Sequence, residues 1–87
     1  MTMEKQDVQS AKPEKERPLI KIVVNEQDVE MSERVVTGTE IKAAAIAQGV
    51  PIEQGFVLFE DFPNGTSRPI DDDEEVKLRP HMKFTAI

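Results

Sequence analysis

Hydrophobic and polar positions begin to alternate at Leu19. The segment Leu19-Ile20-Lys21-Ile22-Val23-Val24 is rich in β-branched side chains and sets Ile20, Ile22 and Val24 on one face, which predicts a strand. Asn25-Glu26-Gln27-Asp28 supplies turn chemistry. Val29 and Met31 then alternate with Glu30 and Ser32 as in a half-buried second strand, so the two segments predict a hairpin. At Thr37 the period changes. Thr37-Gly38-Thr39-Glu40 has the form of a capping box, in which the Thr37 hydroxyl accepts from the third helical amide and Glu40 reaches back to the cap. Ile41, Ala44, Ala45 and Gln48 follow at helical spacing, and Gly49 with Pro51 ends the helix. Alanines on that stripe predict a helix lying close against a sheet.

Strand character returns after Gly55 in Phe56-Val57-Leu58-Phe59-Glu60. Pro63-Asn64-Gly65 is a strong turn, and Thr66 to Ile70 reads as a short edge segment that Pro69 protects from further pairing. The run Asp71-Asp72-Asp73-Glu74-Glu75 reads as a short helical turn opened by a capping Asp71. Val76-Lys77-Leu78 leads through Arg79-Pro80-His81 into a last strand, Lys83 to Ile87. The order ββαββ predicts an α+β fold, with one helix packed on a mixed sheet of four to five strands. Met1 to Arg17 combines mixed charge, a proline and few branched or aromatic side chains, too little apolar surface to offset the entropy of ordering. Residues 1–18 are therefore expected to be a disordered N-terminal tail, and residues 19–87 a single domain.

The same alternation assigns faces. With Ile20, Ile22, Val24, Phe56, Leu58, Phe84 and the helix stripe in the core, Val23, Val57, Phe59, Thr85 and Ile87 fall on the opposite side of the sheet. Apart from Thr85 these side chains are apolar, and no predicted element is left to cover them, so the face is expected to bind protein. Two alternatives stand beside this one: the loop around Phe62 and Pro63 folds across part of the face, or the register is displaced by one residue.

Charge and composition narrow the partners. The formal net charge is −6. Lys5, Lys12, Lys15 and Arg17 cancel Glu4, Asp7, Glu14 and Glu16, so the whole excess lies on the predicted domain. An acidic surface repels phosphate backbones and anionic lipid, which argues against nucleic acid and membrane and for a basic groove on another protein; solubility alone also accounts for it. There is no cysteine, hence no disulfide, thiolate nucleophile or sulfur-ligated metal. No apolar run approaches the roughly 18 residues of a membrane span, and Met1 to Arg17 lacks the apolar stretch of a signal peptide. A cytoplasmic monomer is expected.

Catalysis requires a nucleophile or base beside an orienting partner, and the single histidine, His81, sits in a proline-flanked turn. The acidic run has consecutive carboxylates without the glycine that a calcium loop needs. Thr37-Gly38-Thr39 lacks the further glycines and lysine of a phosphate cradle. Neither an enzyme nor a cofactor or metal site is expected.

The strand pair, the capping box with Ile41 and Ala45 at core spacing, the Phe-x-Leu strand, and Asp-Asp-Glu-Glu-Val-x-Leu followed by Lys-Phe-Thr together resemble the bacterial multi-ubiquitin-domain family. The most distinctive stretch is Val36-Thr37-Gly38-Thr39-Glu40-Ile41, and the resemblance covers Leu19 to Ile87. It implies a ubiquitin-like β-grasp protein modifier. Its implied partners are activating-like and conjugating-like enzymes, a metal-dependent processing peptidase and a target protein. No second copy of the pattern is found, so a one-domain member is expected. A conjugated ubiquitin-like protein presents a flexible tail ending in Gly-Gly, small enough to thread an enzyme channel. This sequence departs from that pattern, with Ile87 inside or just beyond the last strand; Ile87 is thus the candidate attachment terminus. A ubiquitin-like adaptor that is never conjugated is the alternative.

Overall fold

The computed structural model describes residues 19–87; the predicted tail, residues 1–18, lies outside the described residues. Two strands, β1 (Ile20–Val24) and β2 (Gln27–Met31), form the expected hairpin, with Val24 opposite Gln27 and Ile20 opposite Met31. Asn25 and Glu26 form its two-residue turn with φ of 51° and 68°. Positive φ at both central positions is what a turn matched to the twist of the strands requires, and asparagine tolerates it well. A short strand β3 (Val35–Thr37) leads directly into helix α1 (Gly38–Ala47). Next come β4 (Leu58–Asp61), β5 (Ser67–Ile70), β6 (Glu75–Lys77) and β7 (Lys83–Ala86).

The main sheet has the order β2-β1-β7-β4-β5, and β3 pairs with β6 in a separate two-stranded ribbon. β1 and β7 run parallel at the centre and the other neighbours are antiparallel, which makes the sheet mixed. The helix is started as its sequence predicts: the Glu40 amide donates to Thr37 Oγ1 at 3.2 Å, and the Thr37 amide donates to Glu40 Oε1 at 2.8 Å. It ends at Gly49, whose φ is 98°. Ile41 and Ala45 are buried with Ile20, Ile22, Val24, Leu58 and Phe84, so one helix packed on a mixed sheet encloses a single core in the ubiquitin-like β-grasp manner. Val29, Met31, Val36, Val50, Ile52, Ile70, Val76, Leu78 and Ala86 complete that core.

Three details differ from the sequence prediction. Val35–Thr37 is a strand, drawn out by pairing Val36 with Val76 and Thr37 with Glu75. The acidic run is not helical. Glu74 N–H donates to the Asp71 carbonyl at 3.1 Å to close one turn, and the Glu74 carboxylate accepts from Asp71 N–H, the reverse of an Asp71 cap. Adjacent carboxylates at helical spacing repel, and Glu75 is instead taken into β6. Finally, β4 begins at Leu58. Phe56 N–H donates to the Glu53 carbonyl in a turn, which leaves Phe56 half-buried at the margin of the core.

Candidate protein-interaction face

On the sheet face turned away from α1, alternation along β4 and β7 brings Phe59 directly opposite Thr85, with Pro69 of β5 opposite Phe59 on its other side. Val57 and Ile87 extend this patch through two backbone hydrogen bonds, Val57 N–H to Ile87 O at 2.6 Å and Ile87 N–H to Val57 O at 3.0 Å. Val23 of β1 lies opposite Lys83 of β7 and shares a shallow groove with Thr85 and Asp61. Register thus sets Val23, Phe59 and Thr85 on this side of the sheet, and Val57 and Ile87 lie just beyond the ends of β4 and β7. Val23, Phe59 and Thr85 are half-buried among their neighbours, whereas Val57 is 49% and Ile87 71% exposed. Phe62 and Pro63 line a neighbouring groove beside Arg79 and Met82, which shares Asp61 and Lys83 with the groove at Val23.

The apolar patch has a mixed but mainly acidic border. Glu26 at the hairpin turn, Asp28 and Glu30 on β2 and Asp61 on β4 stand against Lys21 and Lys83. Asp61 is held in place: Thr85 Oγ1 donates to Asp61 Oδ2 at 2.5 Å. Lys21 Nζ lies 4.0 Å from Asp28 Oδ2 with both side chains in solvent, a contact of little energetic weight.

Each edge of the same sheet is blocked at one position. In an antiparallel hairpin of this register the backbone groups of Glu30 point outward from β2. The Gln48 carboxamide at the end of α1 takes both: Glu30 N–H donates to Gln48 Oε1 at 2.9 Å, and Gln48 Nε2 donates to Glu30 O at 2.8 Å. At the opposite edge Pro69 has no N–H to offer a further strand.

Behind the sheet lies a polar cluster that sequence reasoning missed. Lys42, on the buried side of α1, is 2% exposed. Its ammonium donates to Gln54 O at 2.6 Å, to Phe56 O at 2.8 Å and to Asp72 Oδ1 at 2.8 Å, which satisfies all three of its protons. These bonds tie the helix to the segment preceding β4 and to the acidic turn. Nothing in the sequence distinguishes Lys42 from a solvated helical lysine except its place beside Ile41.

His81 is exposed and sits in the left-handed region with φ of 71°, its N–H donating to Lys21 O at 2.8 Å. Among the described residues no helix is long and apolar enough to cross a membrane. Comparison with curated proteins yields no match, and neither does comparison with solved structures. The family model described as multiubiquitin matches residues 20–87, the whole of the folded unit from the first residue of β1 onward. With that match and a helix packed on a mixed five-stranded sheet, the chain belongs to the multiubiquitin family.

Proposed function

We propose that this domain is a ubiquitin-like protein modifier of a bacterial, ubiquitination-like pathway, working in the cytoplasm by recognition and performing no catalysis of its own. The observation that carries this proposal is the largely apolar sheet face of Val23, Val57, Phe59, Thr85 and Ile87, with Val57 and Ile87 exposed, on a sheet whose two edges are each blocked at one position. Uncovered apolar surface rimmed by polar groups is a mark of protein binding. The partners assigned to it are activating-like and conjugating-like enzymes, a processing peptidase and the target protein, with Ile87 as the point of attachment.

A second function, a ubiquitin-like adaptor that is never conjugated, is favoured by one specific observation. The backbone of Ile87 is hydrogen-bonded in both directions to Val57, and the neighbouring Ala86 is bonded to the Asn25 carboxamide. Attachment through Ile87 has to open those bonds first.

Intact mass spectrometry and denaturing electrophoresis of the tagged protein from its native host separate the two. A modifier yields species heavier than the free chain, linked through Ile87 or a newly exposed terminus. An adaptor yields only free chain, with partners recovered noncovalently. In either case Val57→Asp and Phe59→Asp are expected to abolish recovery of partners; unchanged recovery from both variants removes the face from the proposal.

A further inference from the structure

The two-stranded ribbon has edges of its own. β3 and β6 pair only with each other, so each strand turns one edge away from its neighbour. Register decides which backbone groups reach those edges. Leu78 N–H donates to Arg34 O at 2.7 Å, which makes these two residues a hydrogen-bonded pair next to Val35 and Lys77. Antiparallel pairs alternate, so Val36 and Val76 bond to each other, whereas Glu75 and Lys77 turn their N–H and C=O groups outward. Thr37, opposite Glu75, follows the same rule: its N–H points away from β6 and is taken by Glu40 Oε1. That bond blocks the β3 edge. Among the described residues, no side chain bonds to the outward backbone groups of Glu75 and Lys77, and β6 holds no proline.

The side chains along the open edge are ordered by sign. Asp73, Glu75, Lys77 and Arg79 are exposed and alternate with half-buried Glu74 and buried Val76 and Leu78. Among the described residues, none of the four has an ion-pair partner, and β3 sets only Thr37 and Val35 opposite Glu75 and Lys77. Two neighbouring carboxylates, Asp72 and Glu74, are already engaged by Lys42 and Arg68. Laid antiparallel to itself about Val76, the run sets Glu75 against Lys77 and Asp73 against Arg79. Registers centred on Glu75 or Lys77 use the same outward backbone groups but oppose like charges, which destabilises them. Backbone and charge thus select one alignment.

We propose that β6 is a docking edge for a second copy of this chain, giving a twofold-symmetric ribbon of four strands, β3-β6-β6-β3. Glu75 of each copy exchanges both backbone hydrogen bonds with Lys77 of the other, and the facing charges Glu75 with Lys77 and Asp73 with Arg79 occur twice. A net charge of −6 opposes association at long range, but physiological salt screens exposed charges beyond roughly 8 Å, and across this edge the nearest charges are opposite. A three-residue strand and exposed ion pairs make a small interface, so the expected Kd is about 1 mM. Chains at micromolar concentration stay apart. Copies held together on one support dimerise, because tethering raises their effective concentration into the millimolar range. The edge belongs to the ribbon rather than to the main sheet and stands independently of the function proposed for the face of Val57, Phe59 and Ile87.

The test is NMR of the full chain at physiological ionic strength over a series from about 0.05 to 2 mM, which spans that constant. Amide shifts that grow with concentration are expected at residues 73–79. A mixture of isotope-labelled and unlabelled chain is expected to show a contact between Val76 Hα of one copy and Val76 Hα of the other, which face each other in this register. Lys77→Glu and Glu75→Lys each weaken self-association at least about tenfold, because the symmetry makes every substitution act twice. Glu75→Lys also reduces the net negative charge, so general repulsion alone predicts the opposite result for it. An equimolar mixture of the two variants restores association to the strength of the parent, which variants that fail to fold would not do. The proposal is overturned by an absence of concentration-dependent shifts up to about 2 mM. Shifts centred on Val57 and Ile87 or on β2, undiminished association of Glu75→Lys, or a mixture that associates no better than its components overturn it equally.

Discussion

Lys42 and Asp72 form an ion pair of 2.8 Å whose members live in different solvents: the lysine side chain is 2% exposed, the aspartate 70%. The bond is therefore unequal in consequence. Removing the ammonium strands two backbone carbonyls, Gln54 O and Phe56 O, in a closed site, whereas removing the carboxylate leaves the ammonium with both carbonyls and Asp72's place to water. Lys42→Met, which keeps the volume, is expected to cost about 2–4 kcal/mol, and Asp72→Asn less than about 1 kcal/mol. Urea denaturation of both variants measures this. Equal losses would mean that the carboxylate, not the carbonyls, holds the lysine.

Gly38, the first residue of α1, is expected to resist replacement by a better helix former. A Cβ there would stand 2.5 Å from Asp71 O and 3.3 Å from Ile70 Cγ2, against backbone that the Thr39 N–H to Asp72 O bond of 3.0 Å keeps close. Propensity alone predicts that Gly38→Ala gains about 0.5–1 kcal/mol. The close approach predicts a net loss of about 1–3 kcal/mol instead. A raised melting temperature in calorimetry would show that the turn after β5 yields easily.

Gln48→Ala removes the two bonds that the carboxamide makes with Glu30 and leaves an edge strand with outward backbone groups. The direct loss is expected to be about 0.5–1.5 kcal/mol. The more specific sign is association at high concentration, because an unguarded edge is a template for another strand. Sedimentation velocity over a concentration series reads it; a variant that melts lower yet stays monomeric throughout would confine Gln48 to a capping role.

Acid sensitivity follows from Glu74. Its carboxylate is held below its ordinary value of 4.5, chiefly by the hydrogen bond from Arg68 at 2.6 Å and next by the Asp71 N–H. In the unfolded chain the group regains its ordinary affinity for protons. Between the two values the unfolded state binds more protons, so stability rises with pH there. The contribution is complete above 4.5 and is lost as pH falls through the folded value. The melting temperature of Glu74→Gln should therefore lie below that of the parent at about pH 7, with the gap narrowing as the pH falls below 4.5. A gap that widens in acid would contradict the assignment. The effect is small, since both partners face solvent.

The hairpin, the helix with both its ends, the Pro69 edge and the two faces of the sheet were legible because each rests on local signals: period-two alternation, a capping box, and glycine and proline at fixed offsets. Beyond reach were features whose partners are distant in sequence. β3 is three residues long and becomes a strand only against β6. The Gln48 carboxamide meets Glu30 18 positions earlier, and Lys42 meets Asp72 30 positions later. The groove joins Phe62 to Arg79, and no periodicity links those positions. The acidic run was misassigned for a related reason: its capping chemistry is real, but Glu74 rather than Asp71 supplies the carboxylate, and β6 claims Glu75.

The last relationship bears on function directly. Asn25 combines a left-handed backbone, φ 51°, with a carboxamide that continues the β1–β7 ladder past the end of β1: Ala86 N–H donates to Asn25 Oδ1 at 2.8 Å and Asn25 Nδ2 donates to Ala86 O at 3.1 Å. Asn25→Gly preserves the turn and removes only those rungs, whereas Asn25→Ala also strains the backbone. The glycine variant should keep a near-native melting temperature yet exchange the amides of Ala86 and Ile87 faster, by about fivefold to tenfold for a lost bond worth about 1 kcal/mol. Amides that remain as protected as in the parent would mean that Val57 alone secures this end. In the native host the same variant discriminates between the two functions. If attachment through Ile87 requires the end of β7 to open, Asn25→Gly raises the yield of heavier species; if the domain is an adaptor, neither parent nor variant forms them, and partner recovery through Val57 and Phe59 is unchanged.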